Sequence, residues 1–179
     1  MKTILVTGGI GTGKSEVCRY LRGLGYPVYD SDSRCKALYE EVPGLKGRIE
    51  EAIGVPFAQI RIIFSDAAKR EALESVVYPE LLKDFLRWRD SQDSELVFFE
   101  SAIASGKGIF DGLFDKVVLV TAPEHERISR CMQRDGSSRE AVIERIRIQS
   151  PFAPHDFQIP NIGNLEQLHS RVQEFLKKI

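Results

Sequence analysis

The chain has 179 residues, 25 Lys plus Arg against 26 Asp plus Glu, a formal net charge of −1 and 42% hydrophobic residues, which suits one domain with a substantial core and not two full ones. That balance argues against a globally basic nucleic-acid binder, and no apolar run approaches the roughly 18 residues of a membrane span. The three cysteines, Cys18, Cys35 and Cys131, have neither the paired spacing of a disulfide framework nor that of a zinc site. With no basic segment followed by an apolar stretch at the N-terminus, a cytoplasmic protein with reduced thiols and no nucleic-acid or membrane partner is expected.

Taken in order, Thr3 to Thr7 is a short β-branched apolar run, Gly8 to Gly13 is rich in glycine, and Lys14 to Gly23 has the polar-apolar pattern of a helix. Strand, loop, helix is the expectation. Tyr26 to Asp30 reads as a second buried strand ending in acidic and hydroxyl residues, a place where ligand-binding groups gather. From Ser33 to Asp90 helical periodicity dominates, clearest over Asp66 to Trp88, where Pro79 is expected to kink or divide the helix. Strands return at Leu96 to Glu100 and Lys116 to Thr121, both continuous apolar runs. Helices are expected over Glu124 to Met132 and Ser138 to Gln149, a last strand around Phe157 to Ile159, and a closing helix over Leu165 to Lys178. Continuous apolar strands alternating with helices predict a parallel sheet covered on both faces.

Gly8-Gly9-Ile10-Gly11-Thr12-Gly13-Lys14-Ser15 satisfies G-x-x-x-x-G-K-S/T and lies between a buried strand and a helix start, where that motif must lie. Its glycines let backbone N–H groups turn inward around phosphate oxygens, and the helix N-terminus adds partial positive charge. Lys14 supplies a mobile cation for the β- and γ-phosphates, and the Ser15 hydroxyl can join a Mg²⁺ shell. A nucleoside triphosphate is the expected ligand. No Asn-Lys-x-Asp element for reading guanine occurs, and a motor ATPase needs more chain than this, which leaves small-molecule kinases.

The sequence resembles the dephospho-coenzyme A kinases over most of its length. The resemblance rests on Thr7 to Ser15, Val28-Tyr29-Asp30-Ser31-Asp32, Phe64-Ser65-Asp66, Tyr78-Pro79, Glu100-Ser101-Ala102, Val120 to Pro123, Gln133-Arg134-Asp135-Gly136, Arg145-Ile146 with Gln149, and Asn161 with Gly163. It implies a P-loop kinase three-layer α/β sandwich with a five-stranded parallel sheet. The core would comprise residues 1–32, 94–133 and 150–179, with a helical acceptor-binding insertion at 33–93 and a lid at 134–149. The implied reaction is ATP-dependent phosphorylation of the ribose 3′-hydroxyl of dephospho-coenzyme A.

By the same resemblance Asp32 is the candidate base, with Lys14 and Arg134 as catalytic partners. Gly9, Gly11, Thr12, Gly13, Lys14, Ser15 and Glu16 would hold the nucleotide, Asn161 and Gly163 would lie against adenine, and Ser15 with Glu100 would order Mg²⁺. Beside Arg134 the neighbouring Arg127, Arg130, Arg139, Arg145 and Arg147 are expected on solvated helix faces paired with Glu126, Glu140 and Glu144. Glu16 stands where the family commonly has a small hydroxyl residue, and Tyr78 where histidine is usual. The alternatives are another small-molecule kinase of the nucleoside monophosphate type, and a nucleotide-binding regulatory protein with little turnover.

Overall fold

The computed structural model describes residues 1–60, 66–104, 106–149 and 154–179; Phe64 and Ser65 of the sequence motif lie outside the described residues. By contact density the chain divides into two compact units, Met1–Tyr29 with Asp93–Ile179, and Asp30–Gln92.

In the first unit β1 (Lys2–Thr7) is buried at every position after Lys2, as a strand covered on both faces must be. It pairs in parallel with β3 (Leu96–Glu100) on one side and β4 (Lys116–Thr121) on the other, Val6 lying opposite Glu100 and Thr7 opposite Leu119. With β2 (Val28–Asp30) outside β3 and β5 (Phe157–Pro160) outside β4, the order is β2-β3-β1-β4-β5. Strands added on both sides of β1 place its carboxyl end at the switch point, where an open parallel sheet presents a crevice.

Successive residues of a strand face opposite sides of the sheet, and β3 uses both. Phe98 enters a cluster with Ile4 and Val118 of the sheet, Val17 and Leu21 of α1 (Lys14–Gly23), and Leu168 and Val172 of α7 (Leu165–Leu176). Phe99 turns the other way, stacked on Tyr29 with ring centroids 5.2 Å apart and edge-on to Phe114 at 5.3 Å. A smaller cluster of Ile128, Cys131 and Val142 joins α5 (Glu124–Asp135) to α6 (Arg139–Ile148), and the Ile10 side chain packs on it.

The second unit is helical: α2 (Ser31–Glu41), α3 (Leu45–Ile53) and α4 (Ala67–Asp90). Buried Leu38, Ile49, Val77, Leu81 and Phe85 form its interior, and Arg34 Nε to Asp84 at 2.9 Å and Arg48 Nη1 to Glu80 at 3.1 Å tie its helices across the surface. Contrary to the expected division, α4 runs through Pro79 as one 24-residue element. A mid-helix proline costs about 3 kcal/mol, but Leu73, Val77, Tyr78, Leu81 and Phe85 on either side of it are all buried. Each such side chain contributes about 1.5–3 kcal/mol, so packing outweighs the lost backbone bond. Among the described residues no helix is long and apolar enough to cross a membrane.

Candidate active site

The loop between β1 and α1 is shaped by hydrogen bonds to its own carbonyl groups. Lys14 Nζ donates to the Gly8 carbonyl at 2.8 Å and to that of Gly9 at 3.3 Å, and the buried Thr12 hydroxyl also donates to Gly9 at 2.9 Å. Arg127 Nε donates to the Ile10 carbonyl at 2.9 Å, Arg130 Nη1 to that of Gly11 at 3.3 Å, and Asn161 Nδ2 to that of Thr12 at 2.8 Å. Five consecutive carbonyls are thus held by side chains. In a trans peptide the N–H of the next residue points opposite to the carbonyl, so the same bonds fix the directions of the N–H groups that follow.

Gly13 is required by this arrangement. Its φ of 94° is left-handed, a region glycine occupies without penalty, and a Cβ there would collide with Asn161 Nδ2. Asn161, expected beside adenine, therefore has a structural partner in the loop backbone and is buried at 8% exposure. Gly163 lies two residues on, before the box in which Asn164 and Gln167 cap α7 reciprocally.

Ser15 Oγ donates to Glu100 Oε1 at 2.9 Å, bringing together the two residues expected to order Mg²⁺. Glu100, 8% exposed, ends β3 beside β1, with Arg22 Nη2 4.0 Å from its second oxygen. Beneath it, burial holds the Cys18 thiol well above its usual pKa, and the negative charge of Glu100 adds to the effect. Glu16, expected among the nucleotide ligands, pairs with Arg19 and lies 3.5 Å from His169 Nε2 on α7, while His169 stacks on Tyr20 with centroids 3.9 Å apart. The Glu16 carboxylate therefore turns toward α7.

Arg134 ends α5 and is occupied by its neighbour, with Nε 2.6 Å and Nη2 3.0 Å from the Asp135 carboxylate. Arg145 from α6 reaches Asp135 at 3.2 Å, so two guanidinium groups share one carboxylate. The Arg134 bond, followed by Arg145, holds the Asp135 carboxyl down at about 2. A folded pKa below the unfolded one, about 3.9, contributes stability above the unfolded value that is lost as pH falls through the folded one. We expect the Asp135 side-chain carboxyl resonance to titrate near 2 in the folded protein and to rise toward 3.9 in Arg134→Ala. A midpoint at the ordinary value in the unsubstituted protein would refute this pairing.

Arg127 and Arg130 are the residues that sequence reasoning missed, and Gln149, singled out as part of the motif set, was given no role there. Arg127 and Arg130 were expected on a solvated face, and Arg130 does pair with Glu126 at 2.5 Å, yet both also reach the loop. Their i,i+3 spacing places them on one side of α5, but nothing local indicates that this side meets residues 117 and 119 positions away.

In the second unit Asp30 is the N-cap of α2, accepting from the Ser33 backbone N–H at 3.0 Å and from its hydroxyl at 2.7 Å. Asp32 lies exposed in the first turn, where a carboxylate suits the helix dipole. Burial, followed by the charges of Asp32, Asp30 and Asp84, pushes the Cys35 thiol up to about 12. Burial likewise raises Tyr78, with Glu74 the largest charge acting on it and Asp32 a smaller one.

A family model described as dephospho-CoA kinase matches residues 2–55 and 57–155. The chain belongs to the dephospho-CoA kinase family. Within that family it is 42% identical over 158 residues to the dephospho-CoA kinase of Porphyromonas gingivalis, covering 83% of this chain and 78% of that one. It is 36% identical over 183 residues to the enzyme of Thermus thermophilus, covering 97% and 90%. A crystal structure of a Thermus thermophilus protein, 35% identical, aligns with a TM-score of 0.82 over 99% of this chain and 97% of that one. A shikimate kinase from Bacteroides thetaiotaomicron, 17% identical, aligns with a TM-score of 0.57 over 99% and 97%, a likeness of fold alone. The expected P-loop kinase fold with a five-stranded parallel sheet is therefore the fold of this family member.

Proposed function

We propose that this chain transfers the γ-phosphoryl group of ATP to the ribose 3′-hydroxyl of dephospho-coenzyme A, forming coenzyme A and ADP. The observation that carries the reading is a complete phosphate loop, its carbonyls held by side chains, in a chain that matches the dephospho-CoA kinase family along most of its length. Phosphoryl transfer requires little covalent chemistry of the protein; it requires positioning and charge neutralisation. Backbone N–H groups from Gly11 to Ser15 and the Lys14 ammonium would cradle the triphosphate. Asp32 would accept the acceptor hydroxyl's proton, and Arg134, released from Asp135, would neutralise charge on the transferring group.

The donor set beside Lys14 fits Mg²⁺, which keeps several waters and takes phosphate oxygens in place of an all-protein cage. Ser15 Oγ would be its protein ligand, and Glu100, 2.9 Å from that hydroxyl, would orient it and its waters. When bound, the ion would supply positive charge that offsets the charge of the phosphates.

The test is a coupled ADP-release assay with Mg²⁺-ATP and dephospho-coenzyme A, with adenosine, AMP and CMP as parallel acceptors and mass spectrometry of the product. Coenzyme A formed only from dephospho-coenzyme A is the expected result. Transfer to another acceptor would keep the kinase and replace the substrate, and ATP binding without phosphorylated product would mark a regulatory protein.

A further inference from the structure

The Ile10 residue at the crown of the phosphate loop is held on both of its peptide groups by residues far away in sequence. Its carbonyl accepts from Arg127 Nε at 2.9 Å, and its N–H donates to Gln149 Oε1 at 2.9 Å. Arg127 Nη2 donates to the same Gln149 oxygen at 3.3 Å, which closes a ring of three hydrogen bonds. The Ile10 side chain packs on the Ile128, Cys131 and Val142 cluster between α5 and α6. Backbone and side chain of one loop residue are therefore both anchored to the α5–α6 pair. The glycines on either side leave room for it: a Cβ at Gly9 would collide with Arg127 Nη2 and lie 2.9 Å from Gln149 Oε1, and one at Gly11 would lie 2.5 Å from the Arg127 carbonyl oxygen.

We propose that Arg127, together with Gln149, is a positioning residue that sets the aim of the Gly11 N–H at phosphate and couples the C-terminal end of α6 to the phosphate loop. The Ile10 carbonyl and the Gly11 N–H belong to one planar unit and point in opposite directions, so fixing the first fixes the second. Glycine at 11, with φ 76°, supplies no steric preference that would hold this plane by itself, and the guanidinium supplies it instead. A rigid donor fork suits the role because one planar group serves both the Ile10 and the Gln149 oxygens. Since Gln149 follows the last residue of α6, displacing that helix end withdraws the acceptor from both Arg127 and Ile10. The predicted consequence is that loop order and α6 position change together.

The proposal rests on the nucleotide-binding reading of the loop, and its readout is ATP binding, which needs no acceptor. The experiment is calorimetry of ATP and ADP on the full chain with Arg127→Met, Arg127→Lys, Gln149→Leu and the Arg127→Met/Gln149→Leu pair. Amide spectra record Ile10 and Gly11 with and without nucleotide. Arg127→Met is expected to weaken ATP binding about 10-fold, and Arg127→Lys, which can still donate to Ile10, to recover part of it. Gln149→Leu should weaken binding several-fold, and the pair should lose less than the product of the singles because the bonds share one ring.

An ATP affinity within twofold of the unsubstituted protein in both single variants, or fully multiplicative losses in the pair, would overturn the proposal. So would a Gly11 amide whose nucleotide-induced shift survives Arg127→Met. If Arg127→Met fails to fold, Arg127→Lys and Gln149→Leu decide alone. Unsubstituted protein that binds ATP yet phosphorylates no dephospho-coenzyme A refutes the proposed reaction and leaves the positioning role standing; unsubstituted protein that binds no ATP overturns both.

Discussion

Lys14→Ala is expected to weaken ATP binding by about 10- to 100-fold and to lower kcat by a further 10²- to 10³-fold or so. The binding loss follows from removing hydrogen bonds to a charged group, about 1.5–3 kcal/mol, and the loss in rate from removing a fixed donor at developing charge. In the folded chain the same ammonium donates to the Gly8 and Gly9 carbonyls, so the substitution also removes the side-chain donor to Gly8, while the Thr12 hydroxyl still holds Gly9. Arg127, Arg130 and Asn161 still hold the next three carbonyls. The fold and the rest of the loop should therefore survive, and the defect should be confined to nucleotide affinity and turnover. Lys14→Arg should not restore activity, because a planar fork cannot replace a compact ammonium in a loop built around it. Steady-state ADP release with calorimetric ATP titration checks this, and a fully active Lys14→Ala protein would remove the phosphate-loop reading.

Asp32→Asn should slow the reaction by about 10²- to 10⁴-fold, equivalent to roughly 3–5 kcal/mol, with ATP affinity nearly unchanged. At the start of α2 the capping bonds run to Asp30, from the Ser33 N–H and hydroxyl, so replacing Asp32 leaves the cap intact. Loss of the first-turn dipole interaction should cost about 0.3–1 kcal/mol, whereas Asp30→Ala should cost about 0.5–2 kcal/mol through loss of the cap. Measuring kcat, ATP affinity and melting temperature for both variants separates a chemical role from a helix-terminal one. A rate loss under tenfold in Asp32→Asn would assign Asp32 to the helix terminus.

Much of the fold was legible because its signals are local. The strands at Leu96–Glu100 and Lys116–Thr121 and the first helix at Lys14–Gly23 have the bounds read from the sequence. Continuous apolar runs have one economical use, as strands covered on both faces. The phosphate loop was legible for the same reason, since its spacing encodes a backbone shape over eight consecutive residues. Of the two outcomes expected at Pro79, a kink or a division, the division does not occur, because the ring costs the same everywhere but the buried side chains flanking it in α4 offset that cost.

Around the loop the division is sharpest. The sequence by itself determined the family, the parallel sheet, the position of Lys14 and Ser15 at a helix N-terminus, and the strand-end place of Glu100. Only the tertiary structure decided that Arg127 and Arg130, expected in solvent, hold the loop's carbonyls, and that Gln149 meets the Ile10 N–H. The tertiary structure also decided that Glu16 turns to Arg19 and His169, and that Arg134 is engaged by Asp135. The physical reason is that a motif fixes which hydrogen-bonding groups a short backbone segment exposes, while the partners that satisfy them are chosen by packing. Ile10 and Gln149 are 139 residues apart, and they meet because Ile128, Cys131 and Val142 join α5 to α6 beneath the Ile10 side chain.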